Sequence, residues 1–275
     1  MGIVVGEQDS SSHGTGIAMN LISAIGRKIL HLAQGTGEML SLLFEMIYYF
    51  KEAPRNVHSI FSQMYQVGVG TLPIAMLMAL FVGMVLALQT GSELTQYGSQ
   101  EAIGAIVGLS MVKELGPVMT SLLVAGRIGS AMAAEVGAMK VYEEIDALRT
   151  LEINPVRYLA MPRLLGCLLA VPALTVFTML VGIFGGSIIA EVNPMINVPI
   201  SVYYDNLMRS LGYVDILKGL IKAMVFGGII AHVGCYIGFG TTGGARGIGV
   251  STTRSVVISF LLIMIANYFL TRFMI

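Results

Sequence analysis

Residues 67–92 read VGVGTLPIAMLMALFVGMVLALQTGS, from Val67 to Ser92 without one charged side chain. At 1.5 Å per residue a helix of this length measures about 39 Å, enough to cross a hydrocarbon core of about 30 Å. Inside a bilayer the backbone must satisfy its own hydrogen bonds, and a single apolar run does so as a helix. Working outward, three further uncharged runs repeat the pattern: Leu164 to Ala190, Ala223 to Thr242, and the shorter Ser255 to Thr271. Ala102 to Met139 is also apolar, but Lys113, Glu114, Arg127 and Glu135 interrupt it. As one straight helix that segment would be about 57 Å long, so part of it must bend or leave the bilayer. The expectation is an all-α polytopic membrane protein with five spans.

Composition agrees. Of 275 residues, 55% are hydrophobic and 12% charged, against roughly 25% charged in soluble domains, and mean hydropathy is +0.80. Lys plus Arg and Asp plus Glu stand at 16 each, so no basic footprint for nucleic acid is present. Positive charge favours the cytoplasmic side. Arg27, Lys28, Lys51 and Arg55 precede the first span, Lys140, Arg149, Arg157 and Arg163 lie between the second and third, and Arg246 and Arg254 between the fourth and fifth. The loop from Gly91 to Glu101 has neither Lys nor Arg. This predicts a cytoplasmic N-terminus and a C-terminus on the far side, with Arg209 and Lys218 in the third connection as exceptions.

Met1 to Gly16 is polar and lacks the basic start and apolar core of a removable signal peptide. From Ile17 to Phe50 apolar residues alternate with Arg27, Lys28, Glu38 and Glu45. That pattern predicts an amphipathic helix in the membrane interface, and residues 1–60 are accordingly set apart from a transmembrane domain over 61–275. Cys167 and Cys235 fall inside apolar runs and act as small hydrophobes; no metal-ligand spacing occurs.

Several motifs fail on context. Gly238-Phe239-Gly240-Thr241-Thr242-Gly243 matches GxGxxG but follows an apolar helix instead of a strand. No GxxxxGK[ST] loop exists to hold ATP, so the chain is not expected to be an ATPase, or to carry a cofactor of its own. Ser187 and His232 suggest an intramembrane hydrolase, yet no GxSxG elbow surrounds Ser187, and a structural serine is favoured.

Charges within apolar spans cost roughly 2.5 to 3.5 kcal/mol each at mid-bilayer and mark functional candidates. Lys113-Glu114 is followed by Leu115-Gly116-Pro117. Pro117 has no N–H for the carbonyl of Lys113, which predicts a bend and an open polar backbone group beside the charged pair. Arg127 and Glu135, eight apart on a face of small residues, are expected to form a structural charge network. Gly126, Ser130 and Ala134, and also Gly129, Ala133 and Gly137, form rows that permit close helix approach. From Lys140 to Arg149, Val141, Ile145 and Leu148 have helical spacing among acidic residues. This predicts a short amphipathic helix, ended by Asn154-Pro155 and suited to a cytoplasmic partner.

These stretches together resemble the MlaE family of ABC-transporter membrane subunits, which includes the YrbE proteins of Mce systems and a plastid lipid-import permease. The matching segments are Lys113 to Pro117, Ala125 to Ser130 with Glu135-Val136-Gly137, and Glu144 to Leu148 through Asn154-Pro155 to Pro162-Arg163. The resemblance runs from about Val67 to the C-terminus. It implies a homodimeric inner-membrane permease moving phospholipid between inner and outer membranes. Implied partners are a cytoplasmic ATPase dimer, which holds ATP and Mg, a periplasmic MCE-domain protein, and in some members a STAS-domain subunit. Carried over by position, the lipid-binding residues are Tyr97, Lys113, Glu114, Leu115 and Lys222. Glu143, Glu144, Ile145, Asp146 and Leu148 match the helix that docks on the ATPase. Lys113 stands where the family often has Arg, keeping charge without bidentate geometry. The alternative is an ion-coupled secondary transporter of an amphipathic substrate, against which the odd span count argues.

Overall fold

Glycine decides how closely the helices of this protein approach. At Gly83, Gly104 and Gly219 a β-carbon would collide with the backbone of Gly182, Tyr203 and Val112 respectively. These are helix crossings at backbone contact, which is how spans pack when lipid leaves no hydrophobic force between them. The computed structural model describes residues 33–274, and among them there are helices and no strands. The chain divides into two units, Met1–Glu45 and Met46–Ile275. In the first, the described residues belong to helix α1, residues 33–48, on which Leu40 and Phe44 are exposed. Of the interfacial helix expected over Ile17 to Phe50, residues 17–32 lie outside the described residues, and 33–48 are helical.

The second unit carries α2 (Val57–Gly68), α3 (Leu72–Gln96), α4 (Ile103–Ser110), α5 (Gly116–Val124), α6 (Ser130–Val141), α7 (Glu144–Thr150), α8 (Met161–Val192), α9 (Ile200–Ser210), α10 (Tyr213–Phe239) and α11 (Gly244–Met274). Five segments are long and apolar enough to cross a membrane: Val57–Gln96, Gln100–Val141, Val156–Val192, Tyr213–Phe239 and Gly244–Met274. They alternate in direction, so one end of the bundle carries α7 and the α10–α11 turn and the other carries α9.

The five spans match the sequence expectation, but their limits differ. The fourth begins ten residues earlier than the uncharged run at Ala223 and takes in Asp215, Lys218 and Lys222. Lys218 therefore lies inside a span and not in the connection before it, where its ammonium donates to the Met274 carbonyl. An uncharged-run criterion stops at the first charge; a folded bundle admits charges that find partners. The second span absorbs its excess length in two π turns, Met111–Leu115 and Ala125–Gly129, each placing an extra residue in the helix.

At the α9 end, Tyr203 is fully buried and donates to the Ile183 carbonyl at 3.2 Å, and burial holds its phenol above the usual range. At the α7 end, Asn154 Nδ2 donates to the Tyr49 hydroxyl at 3.0 Å and Arg157 pairs with Glu52 at 3.2 Å. The Tyr49–Arg55 helical turn is thereby fixed to the start of the third span.

Candidate functional site

Pro117 cannot donate to the Lys113 carbonyl four residues back, and a backbone acceptor left open inside a bundle needs another partner. The side chain of Lys222 on α10 supplies it at 3.0 Å. The same ammonium reaches Glu114 Oε1 at 2.5 Å and Thr271 Oγ1 at 2.8 Å. An ammonium has three donors, and here all three are used, which allows a side chain only 3% exposed to carry charge. Glu114 is held on both oxygens. Asn267 Nδ2 donates to Oε2 at 3.0 Å, and the Thr271 hydroxyl lies 3.0 Å from Oε1 and 2.8 Å from the Asn267 carbonyl. Asn267 and Thr271 are four apart on α11 and so share one face. Three spans therefore converge on one carboxylate, whose side chain remains 39% exposed.

Lys113 does not pair with its neighbour. Its ammonium lies 2.9 Å from Asp215 Oδ1, in the first turn of α10, where Asp215 Oδ2 also accepts from the Gly212 amide at 3.2 Å. Asp215, Lys218 and Lys222 recur at helical spacing along α10 and bind the second span, the fifth span's last turn, and both together. Of the expected lipid-site residues, the structure brings Lys113, Glu114 and Lys222 together. Leu115 sits beside them, lining a small apolar pocket with Met78, Met111, Met119 and Thr178. Tyr97 is 80% exposed at the end of α3 and takes part in none of these bonds. Asn267 and Thr271 were missed, since a lone amide or hydroxyl in an apolar run has no spacing signal until its partner is known, and Asp215 was missed because it precedes the uncharged run that marked the fourth span.

Ser187 donates to the Phe184 carbonyl of its own helix at 2.8 Å, near the α9 end, whereas His232 lies in the last third of α10. What the cluster offers is a half-open carboxylate countered by a buried cation, with a second, more exposed cation adjacent. Such a site suits the charged end of an amphipathic molecule.

The expected Arg127–Glu135 network is corrected. Arg127 Nη1 donates to Thr71 Oγ1 at 2.7 Å and covers Gly70, closing the turn between α2 and α3. Glu135 pairs instead with Arg163 at the start of α8, at 2.9 Å. The π turn at Ala125–Gly129 contains Arg127, so a separation of eight no longer equals two ordinary turns. The row Gly129, Ala133, Gly137 does pack closely, with Ile230 and Gly234 of α10 over Gly129 and Thr241 over Gly137. At Gly126 of the other row, a β-carbon would meet open space.

The short helix expected near residue 144 is α7, and Glu143 before it takes φ 61°, which turns the chain sharply out of α6. Its apolar face is directed inward. Ile145 is 1% exposed and packs with Val136 and Leu159, while Leu148 covers the same cluster. Ile145 and Leu148 therefore anchor α7 to its own bundle, and its outward surface is Glu144, Ala147, Arg149 and Thr150, flanked by exposed Tyr142, Glu143 and Leu151. Asp146 is engaged locally by Lys140 at 3.1 Å and Arg149 at 3.4 Å.

Residues 60–273 match the family profile described as Permease MlaE. A probable ABC transporter permease protein of Rickettsia typhi is 35% identical over 254 residues, covering 92% of this chain and 97% of its own. One from Synechocystis is 42% identical over 219 residues, 80% of this chain and 82% of its own. The chloroplastic protein Trigalactosyldiacylglycerol 1 of Arabidopsis thaliana is 40% identical over 211 residues, 77% of this chain and 60% of its own.

Proposed function

This chain belongs to the MlaE family of ABC transporter permeases, and on that premise we propose that it moves phospholipid between the inner and outer membranes of its cell. The observation that carries this reading is the cluster around Glu114 and Lys222. It puts charge and hydrogen-bonding groups inside an apolar bundle, beside the apolar pocket that Leu115 lines. A headgroup and an acyl chain need that pairing of surfaces. The name of the Arabidopsis relative contains a galactolipid, which supports a lipid cargo.

An ABC permease works with an ATPase. In this reading a cytoplasmic ATPase dimer holds ATP and Mg, and the chain has no cofactor or active site of its own. Two copies form the permease in the inner membrane, with N-termini cytoplasmic and C-termini periplasmic, following the Lys and Arg distribution. A periplasmic MCE-domain protein receives or delivers the lipid, with a STAS-domain subunit in some assemblies. The outer surface of α7, not its buried anchors, meets the ATPase.

The test is reconstitution of the complex in liposomes, with ATP-dependent transfer of labelled phospholipid to acceptor vesicles as the readout. Transfer that stops with Glu114→Gln while ATPase assembly persists supports the reading. ATP-independent uptake driven by an ion gradient would overturn it.

A further inference from the structure

Lys113 and Glu114 are consecutive and opposite in charge, yet α10 holds their charges apart. Asp215 takes the ammonium of Lys113 at 2.9 Å, and Lys222 takes the carboxylate of Glu114 at 2.5 Å. Asp215 and Lys222 are seven residues apart on one face of α10, which is two turns or about 10 Å. The backbone itself fixes Asp215, whose second oxygen accepts from the Gly212 amide at 3.2 Å in the first turn of α10.

These four charges cancel. Lys218 lies between Asp215 and Lys222 but donates to the Met274 carbonyl, where the C-terminal end of α11 suits a cation. Arg272 is exposed and lies about 100° round α11 from Thr271. Exposure decides what a headgroup meets. Lys222 is 3% exposed with its donors engaged, whereas the side chains of Glu114 and Lys113 are 39% and 44% exposed. Lys113 spends one ammonium donor on Asp215 and keeps others open. Glu114 Oε2 accepts from Asn267 and retains a lone pair. A ligand with a net charge would enter this balanced cluster without a counter-charge, which a low-dielectric bundle penalises. A zwitterion leaves the balance intact. Charge-assisted contacts of about 3 Å at each end leave about 4 Å of the roughly 10 Å span, which matches the ammonium and phosphate of a phosphoethanolamine.

We propose that Asp215 is the positioning residue that sets headgroup selectivity. By holding Lys113 two turns from Glu114 it keeps the cluster neutral and fits it to a zwitterionic headgroup with N–H donors, that of an aminophospholipid such as phosphatidylethanolamine. With phospholipid as the cargo, on which this inference rests, the lipid's ammonium lies against Glu114 and its phosphate against Lys113. Choline offers Glu114 no N–H, and phosphatidylglycerol offers it no cation.

The experiment reconstitutes the assembled transporter in liposomes holding equal fractions of labelled phosphatidylethanolamine, phosphatidylglycerol and phosphatidylcholine. Mass spectrometry reads the ATP-dependent transfer of each to acceptor vesicles. The native protein should transfer phosphatidylethanolamine in excess of the other two. One basic side chain beside a lipid is worth roughly fivefold toward an anionic headgroup, so D215N, which frees Lys113, should raise the ratio of phosphatidylglycerol to phosphatidylethanolamine by about that factor. K113Q leaves Asp215 bare and should move the ratio the other way. D215E should restore the native ratio, and R272Q, off the bonding face of α11, should not change it. A purely structural Asp215 would lower all three lipids together and leave the ratio fixed. The proposal falls if the native protein transfers the three lipids equally, in which case the permease reading stands. It also falls if D215N or K113Q, whichever assembles, leaves the ratio unchanged. Transfer of none of the three by the native protein would overturn the permease reading and this inference with it.

Discussion

The ammonium of Lys222 lies 3.0 Å from the main-chain oxygen of Lys113, the one carbonyl in its turn that Pro117 cannot serve. A backbone vacancy on one span is thereby filled by a side chain from another. The cation so placed then holds Glu114 at 2.5 Å. The proline and the buried lysine form one device, and neither is understood alone.

Its parts should therefore rank by burial. Lys222→Met leaves the Lys113 carbonyl and Glu114 without their partner and should cost about 3 kcal/mol, as breaking buried pairs does. Glu114→Gln keeps the shape but removes charge-assisted bonds, for about 2 kcal/mol. Lys113→Ala breaks a partly exposed pair with Asp215 and should cost under about 1 kcal/mol. Thermal unfolding in detergent gives the order; Lys113→Ala as the most damaging would refute it.

Close packing makes a second prediction. Gly83→Ala puts a methyl group into the backbone of Gly182, where neither helix can yield cheaply, and should destabilise by about 1–3 kcal/mol. Gly126→Ala enters open space and should be neutral in the same assay. Equal effects would show that the α3–α8 crossing is looser than described.

For α7, the fold and the partner contact separate by position. Ile145→Asp buries a charge against Val136 and Leu159 and should lower permease stability and yield before any partner is added. Glu144→Arg and Leu151→Asp alter exposed positions, and should leave the permease monodisperse while reducing ATPase recovery in a pull-down. Full ATPase recovery by both surface variants would move the docking site off α7.

Orientation is tested by labelling. A cysteine at Ser99 should react with an impermeant maleimide in intact cells, and one at Thr150 only after permeabilisation. The opposite pattern would invert the bundle and place α7 outside.

The sequence by itself determined the number of spans, their order and the presence of a helix between the second and third. Hydrocarbon forces each span to be a long apolar helix, and length and charge are local properties that a linear reading measures. It also drew attention to Lys113, Glu114 and Lys222, through the cost of charge in an apolar run and through the family resemblance. Tertiary structure alone decided the pairings. Arg127 was assigned to Glu135 by counting ordinary turns, but a π turn changes the count, and Glu135 found Arg163 on another helix. Asn267 and Thr271 joined the site only because α11 crosses beside Glu114. The inward direction of Ile145 was set by Val136 and Leu159. An amphipathic period marks which residues share a face, but whether that face meets the same chain or a partner depends on what the folded bundle places opposite it.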